Sequence, residues 1–188
     1  MLAAGRGRRM GSGGAKHRIE VAGVPMLVRV LRSLSQSRAA TRAVVLRSGD
    51  LEAAALVAAE GVRVAFSPSP DPPRSLSVRT ALAACPPGDA TLFALADQPF
   101  LEPRDFDALI DVYARQGGIV YASYAGRRGS PALFGPEFRA ELLALRGSQG
   151  GREVIRRHRA QAHPVALDPQ AGRDLDRPQD LGPPRSPR

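Results

Sequence analysis

Short apolar runs alternate with amphipathic stretches along the chain. Between residues 26 and 35, apolar side chains recur at intervals of three and four, which places them on one face of a helix. Residues 41–47 instead hold a continuous apolar run bounded by polar residues, which is typical of a buried strand. The predicted strands are 1–3, 41–47, 62–66, 91–96, 118–125 and 162–167, and the predicted helices are 26–35, 51–60, 75–84, 103–115, 136–145 and 152–159.

End signals sharpen several of these boundaries. Asp50 is a favourable cap for the helix that follows it, and Gly61 is a typical stop after its last turn. Residues 67–74, "SPSPDPPR", contain four prolines and therefore predict a loop. Gly126 to Gly129 predict a hairpin. The alternation of strands and helices is typical of parallel strands joined by helical crossovers.

These elements predict one α/β domain with three layers, doubly wound around a mostly parallel sheet. The chain has 188 residues, which is long enough to bury a substantial core. We expect the domain to span residues 1–181, and residues 182–188 to form a disordered tail because they carry no folding signal. No apolar run reaches the roughly 18 residues of a membrane span, and no secretory signal is present, so we expect a cytoplasmic protein without membrane contact. Cys85 has no second cysteine to pair with.

The net charge of +9 raises the question of nucleic-acid binding, but its distribution disfavours that function. Basic residues are scattered over several predicted elements, and aromatic residues make up only 5% of the chain, so no stacking platform accompanies a basic stripe. Lys16 is the one lysine among 27 basic residues. A compact ammonium in a protein that otherwise uses arginine indicates a position where the two are not interchangeable.

The segment from Gly5 to Lys16, "GRGRRMGSGGAK", predicts a phosphate-binding loop. It follows a predicted strand, its glycines leave backbone N–H groups accessible, and its cations can neutralise phosphate oxygens. The segment is not a Walker loop, because Lys16 follows Ala15 and precedes His17, and it is not a dinucleotide fingerprint, because its glycine spacing differs. The alternative is a flexible basic N-terminal segment.

Carboxylates at two places are candidates for a metal site. Asp97 follows the predicted strand 91–96, where ligands of parallel sheets bind, and it could hold Mg²⁺ against phosphates or simply form a turn before Pro99. Asp174 and Asp176 alternate with Leu175, so both carboxylates share one side if this segment is extended. They could complete the metal site or be solvated turn residues.

Five motifs in order resemble the molybdenum cofactor cytidylyltransferases, which belong to the nucleotidyltransferases with a glycosyltransferase-A-like fold. The resemblance covers residues 1–181. The motifs are "LAAGRGRRMG" with Lys16, "LADQP" at 95–99, "RRGSPALF" at 127–134, "LLALRGSQGGREVI" at 142–155 and "DLDRPQDL" at 174–181.

The resemblance implies Mg²⁺-dependent transfer of CMP from CTP to the terminal phosphate of the molybdenum pterin cofactor, with release of pyrophosphate. By position, Arg9 and Lys16 stabilise the triphosphate, Asp97 holds the metal, and Asp174 or Asp176 is a second metal ligand. A molybdenum hydroxylase would be the partner that receives the product. The residues implied in nucleotide binding are Leu2, Ala3, Ala4, Gly5, Gly7, Arg9, Lys16, Ser75 and Ser77.

The chain departs from the family pattern on the acceptor side. Ser130 stands where the family has histidine and Ser148 where it has aspartate, while Gly7 replaces a serine and Pro73-Arg74 replaces a glycine. These departures keep two alternatives open. One is a cytidylyl- or other nucleotidyltransferase for a sugar or polyol phosphate, and the other is a non-catalytic carrier of the cofactor for a molybdenum hydroxylase.

The resemblance also makes the beginning of the chain unusual. Family members place a full apolar strand before the LAAG motif, whereas only residues 1–3 are available here. We therefore expect a truncated first strand, whose neighbours in the sheet keep unpaired backbone groups and whose phosphate loop is poorly anchored.

Overall fold

The computed structural model describes residues 1–5 and 19–175. Their helices and strands follow the predicted alternation, and the α/β fold is confirmed. The strands are β1 (Glu20–Val21), β2 (Val24–Pro25), β3 (Ala43–Leu46), β4 (Arg63–Phe66), β5 (Thr91–Phe93), β6 (Ile119–Tyr124), β7 (Arg127–Phe134) and β8 (Ala162–Leu167). The α-helices are α1 (Met26–Ser35), α2 (Leu51–Ala59), α3 (Arg74–Ala83), α4 (Pro103–Gln116), α5 (Arg139–Ala144) and α6 (Gly151–Arg157), and short 3-10 turns cover Pro136–Phe138 and Arg159–Gln161.

The N-terminal residues join two groups of strands into a mostly parallel sheet. β3 pairs with β4 in parallel, and a second group runs in the order β5, β7, β6, β8. Leu2 bridges the two groups because it pairs in parallel with Val45 on one side and Leu95 on the other. β6 and β8 are parallel, whereas β7 runs antiparallel to both of its neighbours. The predicted mostly parallel sheet is therefore confirmed.

Residues 1–3 are paired along both sides, although this strand is short. The Leu2 amide donates to the Ala94 carbonyl at 2.8 Å, and the Leu2 carbonyl accepts from the Ala96 amide at 3.1 Å. On the other side, the Ala3 amide donates to the Val45 carbonyl at 2.9 Å, and the Val45 amide donates to the Met1 carbonyl at 2.9 Å. These bonds satisfy the backbone groups that face residues 1–3.

Helices cover both faces of the sheet, which confirms the three-layer arrangement. Successive strand residues point to opposite faces, so Val44 packs with α1 and α2 while Val45 packs with Ala81 of α3. In the same way Leu133 faces α4, and Phe134 faces α3, α5 and α6. Within the described residues, none of the helices has the length and apolar character needed to cross a membrane.

Two predicted boundaries change for local reasons. The hairpin turn lies at Ala125 and Gly126, both with positive φ, rather than at 126–129, because a two-residue turn of this hand matches the twist of paired strands. The predicted helix 136–145 opens as a 3-10 turn, in which the Phe138 amide donates to the Gly135 carbonyl at 3.1 Å.

Asp50 caps α2 as predicted, since its carboxylate accepts from the Ala53 amide at 3.3 Å and also contacts Arg47 at 3.2 Å. We expect Asp50→Ala to lower the free energy of unfolding by about 1–2 kcal/mol, because the substitution leaves a helix N–H without its acceptor. Asp50→Asn should retain most of the stability. Urea denaturation of the two variants and the parent chain measures this, and equal stability of the Ala and Asn variants would contradict it.

Candidate functional site

The glycine-rich segment leaves the sheet at the carboxyl end of its central strand. Leu2 is the bridging residue, and Ala3 and Ala4 are buried just beyond it, so the chain emerges at Gly5. It enters the described structure again at Ile19, whose carbonyl accepts from the Met26 amide at the start of α1, at 2.8 Å. The intervening segment holds three of the predicted site residues, namely Gly7, Arg9 and Lys16, and these lie outside the described residues.

Asp97 leaves the sheet beside this segment. The Ala96 amide donates to the Leu2 carbonyl, so the strand that precedes Asp97 is the direct neighbour of the strand that precedes Gly5. Because the two run in parallel, their carboxyl ends meet at one edge, where parallel sheets bind ligands. Gly5, where the predicted phosphate loop begins, and Asp97 therefore lie at the same edge of the sheet.

The segment that holds Asp174 lies against Asp97. The Leu175 amide donates to the Asp97 carbonyl at 3.1 Å, and the Leu175 side chain is fully buried. One residue further along, the Gln98 side-chain amide donates to the Gly172 carbonyl at 3.4 Å. Residues 172–175 thus lie against the turn at 97–98, although the two segments are about 75 positions apart in the sequence. Asp176, the third predicted carboxylate, lies outside the described residues.

The two predicted nucleotide-binding serines lie in the first turn and a half of α3. Both are buried, with Ser75 only 1% exposed and Ser77 7% exposed. The Ser75 hydroxyl has no hydrogen-bond partner among the described residues. The preceding Pro73 provides no side-chain cap for this helix. Ala81 of the same helix packs with Ala4, which connects α3 to the start of the glycine-rich segment.

The loop 145–150 packs on the beginning of α3. The Ser75 amide donates to the Gly147 carbonyl at 3.2 Å, and the Arg79 guanidinium donates to the Leu145 carbonyl at 2.8 Å. Gly150 faces the Arg74 side chain so closely that an added Cβ would lie 2.5 Å from Arg74 Cδ. Ser148, one of the departures from the family pattern, is therefore carried by a loop that contacts the serine-bearing helix.

Ser130, the other departure, lies in β7 before a cis proline at Pro131. Its carbonyl accepts from the Tyr124 hydroxyl at 2.6 Å. Burial raises the pKa of Tyr124 well above its ordinary value, and the negative charges of Asp105 and Asp174 raise it further. Tyr124 is thus a neutral donor that lies within the electrostatic influence of the Asp174 carboxylate.

The described carboxylates fit a metal ion that arrives together with phosphates. Within residues 1–5 and 19–175, no group of three or more His, Cys, Asp and Glu side chains could hold a metal ion. Mg²⁺ typically takes one or two protein carboxylates and fills its other positions with substrate phosphates and water. Asp97, with Asp174 on the adjoining segment, suits this second mode of binding.

The comparison with known families agrees with this arrangement. Residues 1–163 match the family described as MobA-like NTP transferase domain. The chain belongs to this family. The matched range includes Gly5, Ser75 and Asp97 and ends before the 172–175 segment. No curated protein matches this MobA-like domain in sequence.

Solved structures of the same fold cover nearly all of this MobA-like domain. Rv0371c from Mycobacterium tuberculosis H37Rv is 26% identical, with 95% of this chain and 92% of that chain covered and a TM-score of 0.80. A second structure of Rv0371c, in complex with manganese, is 25% identical over 95% and 92% of the two chains, with a TM-score of 0.77. A nucleotidyl transferase from Methanothermobacter thermautotrophicus shares the fold at 20% identity, with 95% and 91% coverage and a TM-score of 0.82.

These findings confirm the class of protein that the motifs indicated. The MobA-like domain is a nucleotidyltransferase with the fold of its structural neighbours. Gln98 and Tyr124 contact the segments that carry the candidate site residues, and the sequence analysis did not single them out. Gln98 could have been found from its place in the "LADQP" motif, whereas the contact of Tyr124 with the carboxyl-terminal segment depends on tertiary structure.

Proposed function

We propose that the chain is a Mg²⁺-dependent cytidylyltransferase that transfers CMP from CTP to the terminal phosphate of the molybdenum pterin cofactor. The observation that supports this most is the meeting of Gly5, Asp97 and Leu175 at one edge of the sheet. Gly5, where the candidate phosphate loop begins, and Asp97 follow neighbouring strands, and the segment that carries Asp174 is hydrogen-bonded to Asp97.

The proposed reaction needs little proton transfer, because the nucleophile is already an anionic phosphate oxygen. This oxygen attacks the α-phosphorus of CTP, the bond from that phosphorus to the β-phosphate oxygen breaks, and pyrophosphate leaves with the bonding electrons. The protein therefore has to hold two anions in line and neutralise them, as in other phosphoryl-group transfers. A bound Mg²⁺ would supply positive charge to the triphosphate oxygens.

The nucleotide would be held by backbone and hydroxyl groups already at this edge. Gly5 presents backbone to the triphosphate, and the buried hydroxyl of Ser75 is available for the nucleoside. The roles of Arg9 and Lys16 in stabilising the triphosphate rest on the sequence resemblance. The opening "LAAG" resembles the cytidylyl branch of these enzymes, whereas the guanylyl branch typically reads LAGG. The motif therefore supports CTP as the donor.

Asp97, with Asp174 or Asp176, would hold the metal. The neighbour Rv0371c has been crystallised in complex with manganese, which supports a divalent cation in this fold. A 4-diphosphocytidyl-2C-methyl-D-erythritol synthase from Anaerococcus prevotii shares the fold, with a TM-score of 0.76 at 16% identity over 96% and 90% of the two chains.

A different phosphate acceptor is the second candidate, and Ser130 and Ser148 favour it. Both serines stand where the family that this chain resembles has other residues. Ser148 lies on a loop that packs against Ser75. Ser130 accepts a hydrogen bond from Tyr124 through its carbonyl. A small hydroxyl in place of histidine or aspartate changes the charge that an acceptor meets. A sugar or polyol phosphate is the corresponding substrate class.

Pyrophosphate release tests the proposal. The purified protein is incubated with Mg²⁺, one of the four nucleoside triphosphates, and either the molybdenum pterin cofactor or a sugar or polyol phosphate. We expect release with CTP and the pterin cofactor. Release only with another acceptor would favour the second candidate. Binding of the cofactor without any pyrophosphate release would contradict the enzyme and support a carrier.

A further inference from the structure

Tyr124 contacts two glycines from distant parts of the chain. It is the last residue of β6, where it pairs with Arg127 of β7 and Leu167 of β8. A Cβ added to Gly129 would lie 2.5 Å from the Cε2 atom of the Tyr124 ring, and one added to Gly172 would lie 2.5 Å from the same atom. Real Cβ atoms do not approach so closely, so the ring lies directly against the backbone of both glycines.

The two glycines belong to different segments of the proposed site, one that carries Ser130 and one that carries Asp174. Gly129 immediately precedes Ser130, whose carbonyl accepts the Tyr124 hydroxyl at 2.6 Å. Gly172 lies two residues before Asp174, and its carbonyl accepts from Gln98 at 3.4 Å. The tyrosine therefore lies between the β6–β7 hairpin and the segment that brings Asp174 to Asp97.

We propose that Tyr124 is a positioning residue for the metal site: its ring, packed against Gly129 and Gly172, sets the position of the Asp174 segment relative to Asp97. The inference rests on the proposed function, since it assigns the ring a role in metal-dependent nucleotide binding. The ring is rigid and is fixed at its hydroxyl end by Ser130, so it acts as a spacer of constant thickness.

A displacement of the Tyr124 ring would shift the segment that carries Asp174, because this segment is hydrogen-bonded to the turn that carries Asp97. The Gly172 carbonyl and the Leu175 amide both bond to the turn at 97–98. Residues 172–175 thus have two anchors on that turn and one on the Tyr124 ring. Groups that orient metal ligands in this way typically contribute about 10- to 100-fold in metal affinity or activity.

Alanine substitutions of the two glycines provide the test, with Gly88→Ala as the matched control. Gly88 has no positive φ and no atom within 4 Å of an added Cβ. Calorimetry measures CTP binding with Mg²⁺ and with EDTA, and the ratio of the two affinities reports the contribution of the metal. We expect Gly172→Ala and Gly129→Ala each to lower this ratio by about 10-fold, whereas Gly88→Ala leaves it unchanged.

A double-substitution cycle shows whether the effect passes through the ring. In a Tyr124→Leu background the added methyl group no longer meets an aromatic ring, so Gly172→Ala should change the ratio by less than about twofold. Thermal unfolding of each variant verifies that it is folded. Tyr124→Phe keeps the ring, so its ratio of CTP affinities should be closer to the parent ratio than that of Tyr124→Leu.

The outcomes separate this inference from the proposed function. A parent protein whose CTP affinity does not respond to Mg²⁺ contradicts both. If Mg²⁺ raises the CTP affinity of the parent and raises that of folded Gly172→Ala and Gly129→Ala variants equally, only the role of Tyr124 is overturned. An effect of Gly172→Ala that is equally large in the Tyr124→Leu background also overturns it.

Discussion

Asp97→Asn is expected to reduce metal-dependent CMP transfer by about 100- to 1000-fold, the usual effect of removing one group that stabilises transition-state charge. The substitution keeps the size of the side chain and removes its negative charge. Asp97 lies at the edge of the sheet where the strands of Leu2 and Leu95 end together. Without its carboxylate, the divalent cation would lose the principal protein ligand that we propose for it. Steady-state rates of pyrophosphate release at several Mg²⁺ concentrations measure the effect.

Asp89→Asn is the matched control, because Asp89 is an exposed turn residue outside the proposed site. It should retain the parent rate and the parent Mg²⁺ dependence. The fold of both variants should be intact, since the Asp97 backbone keeps its hydrogen bond to Leu175. An Asp97→Asn variant with unchanged turnover would remove Asp97 from the site.

Leu175→Ala is expected to lower the free energy of unfolding by about 2–5 kcal/mol, because it removes a fully buried side chain and leaves a cavity. Leu175 is also the residue whose amide bonds to the Asp97 carbonyl. Its loss should therefore loosen the segment that holds Asp174 as well as destabilise the fold. Thermal unfolding measures the first effect, and the Mg²⁺ concentration for half-maximal rate measures the second.

Leu51→Ala serves as the comparison, since the Leu51 side chain is 73% exposed. Its stability should change by less than about 0.5 kcal/mol, as is usual for surface positions. If Leu175→Ala were as stable as Leu51→Ala, the segment 172–175 would not be packed against the Asp97 turn as described.

The fold could be predicted where local signals agree with tertiary packing. Helix α1 has the predicted bounds because its apolar stripe coincides with the face buried in the core. The cap at Asp50 and the stop at Gly61 set the bounds of α2 in the same way. These signals lie within a few residues of the elements that they determine.

Features set by contacts across the chain were harder to predict. The sequence predicts the strand after residue 90 through Ala96, but regular pairing with β7 ends at Phe93, and Leu95 pairs with Leu2 on the other side of the strand. Paired backbone around residues 1–3 was not expected from so short a segment. Hydrogen bonds to neighbours more than 40 residues away determine it.

The candidate site shows the same division. The position of Asp97 could be predicted because it directly follows a strand, and the carboxyl ends of parallel strands converge. The family resemblance implied the serines of α3. The contacts of Tyr124 could not be predicted from the sequence. They form only when the tertiary fold brings the hairpin with Gly129 and the segment with Gly172 to the same ring.

The most direct test follows the phosphorus atoms of CTP. CTP labelled at the α-phosphorus in one reaction and at the γ-phosphorus in another is incubated with the protein, Mg²⁺ and the molybdenum pterin cofactor, and the label is located by chromatography. Nucleotidyl transfer predicts α-label in the cofactor product and γ-label in pyrophosphate. Transfer of the γ-label to the cofactor, or retention of both labels in CTP while the cofactor is bound, would contradict the account.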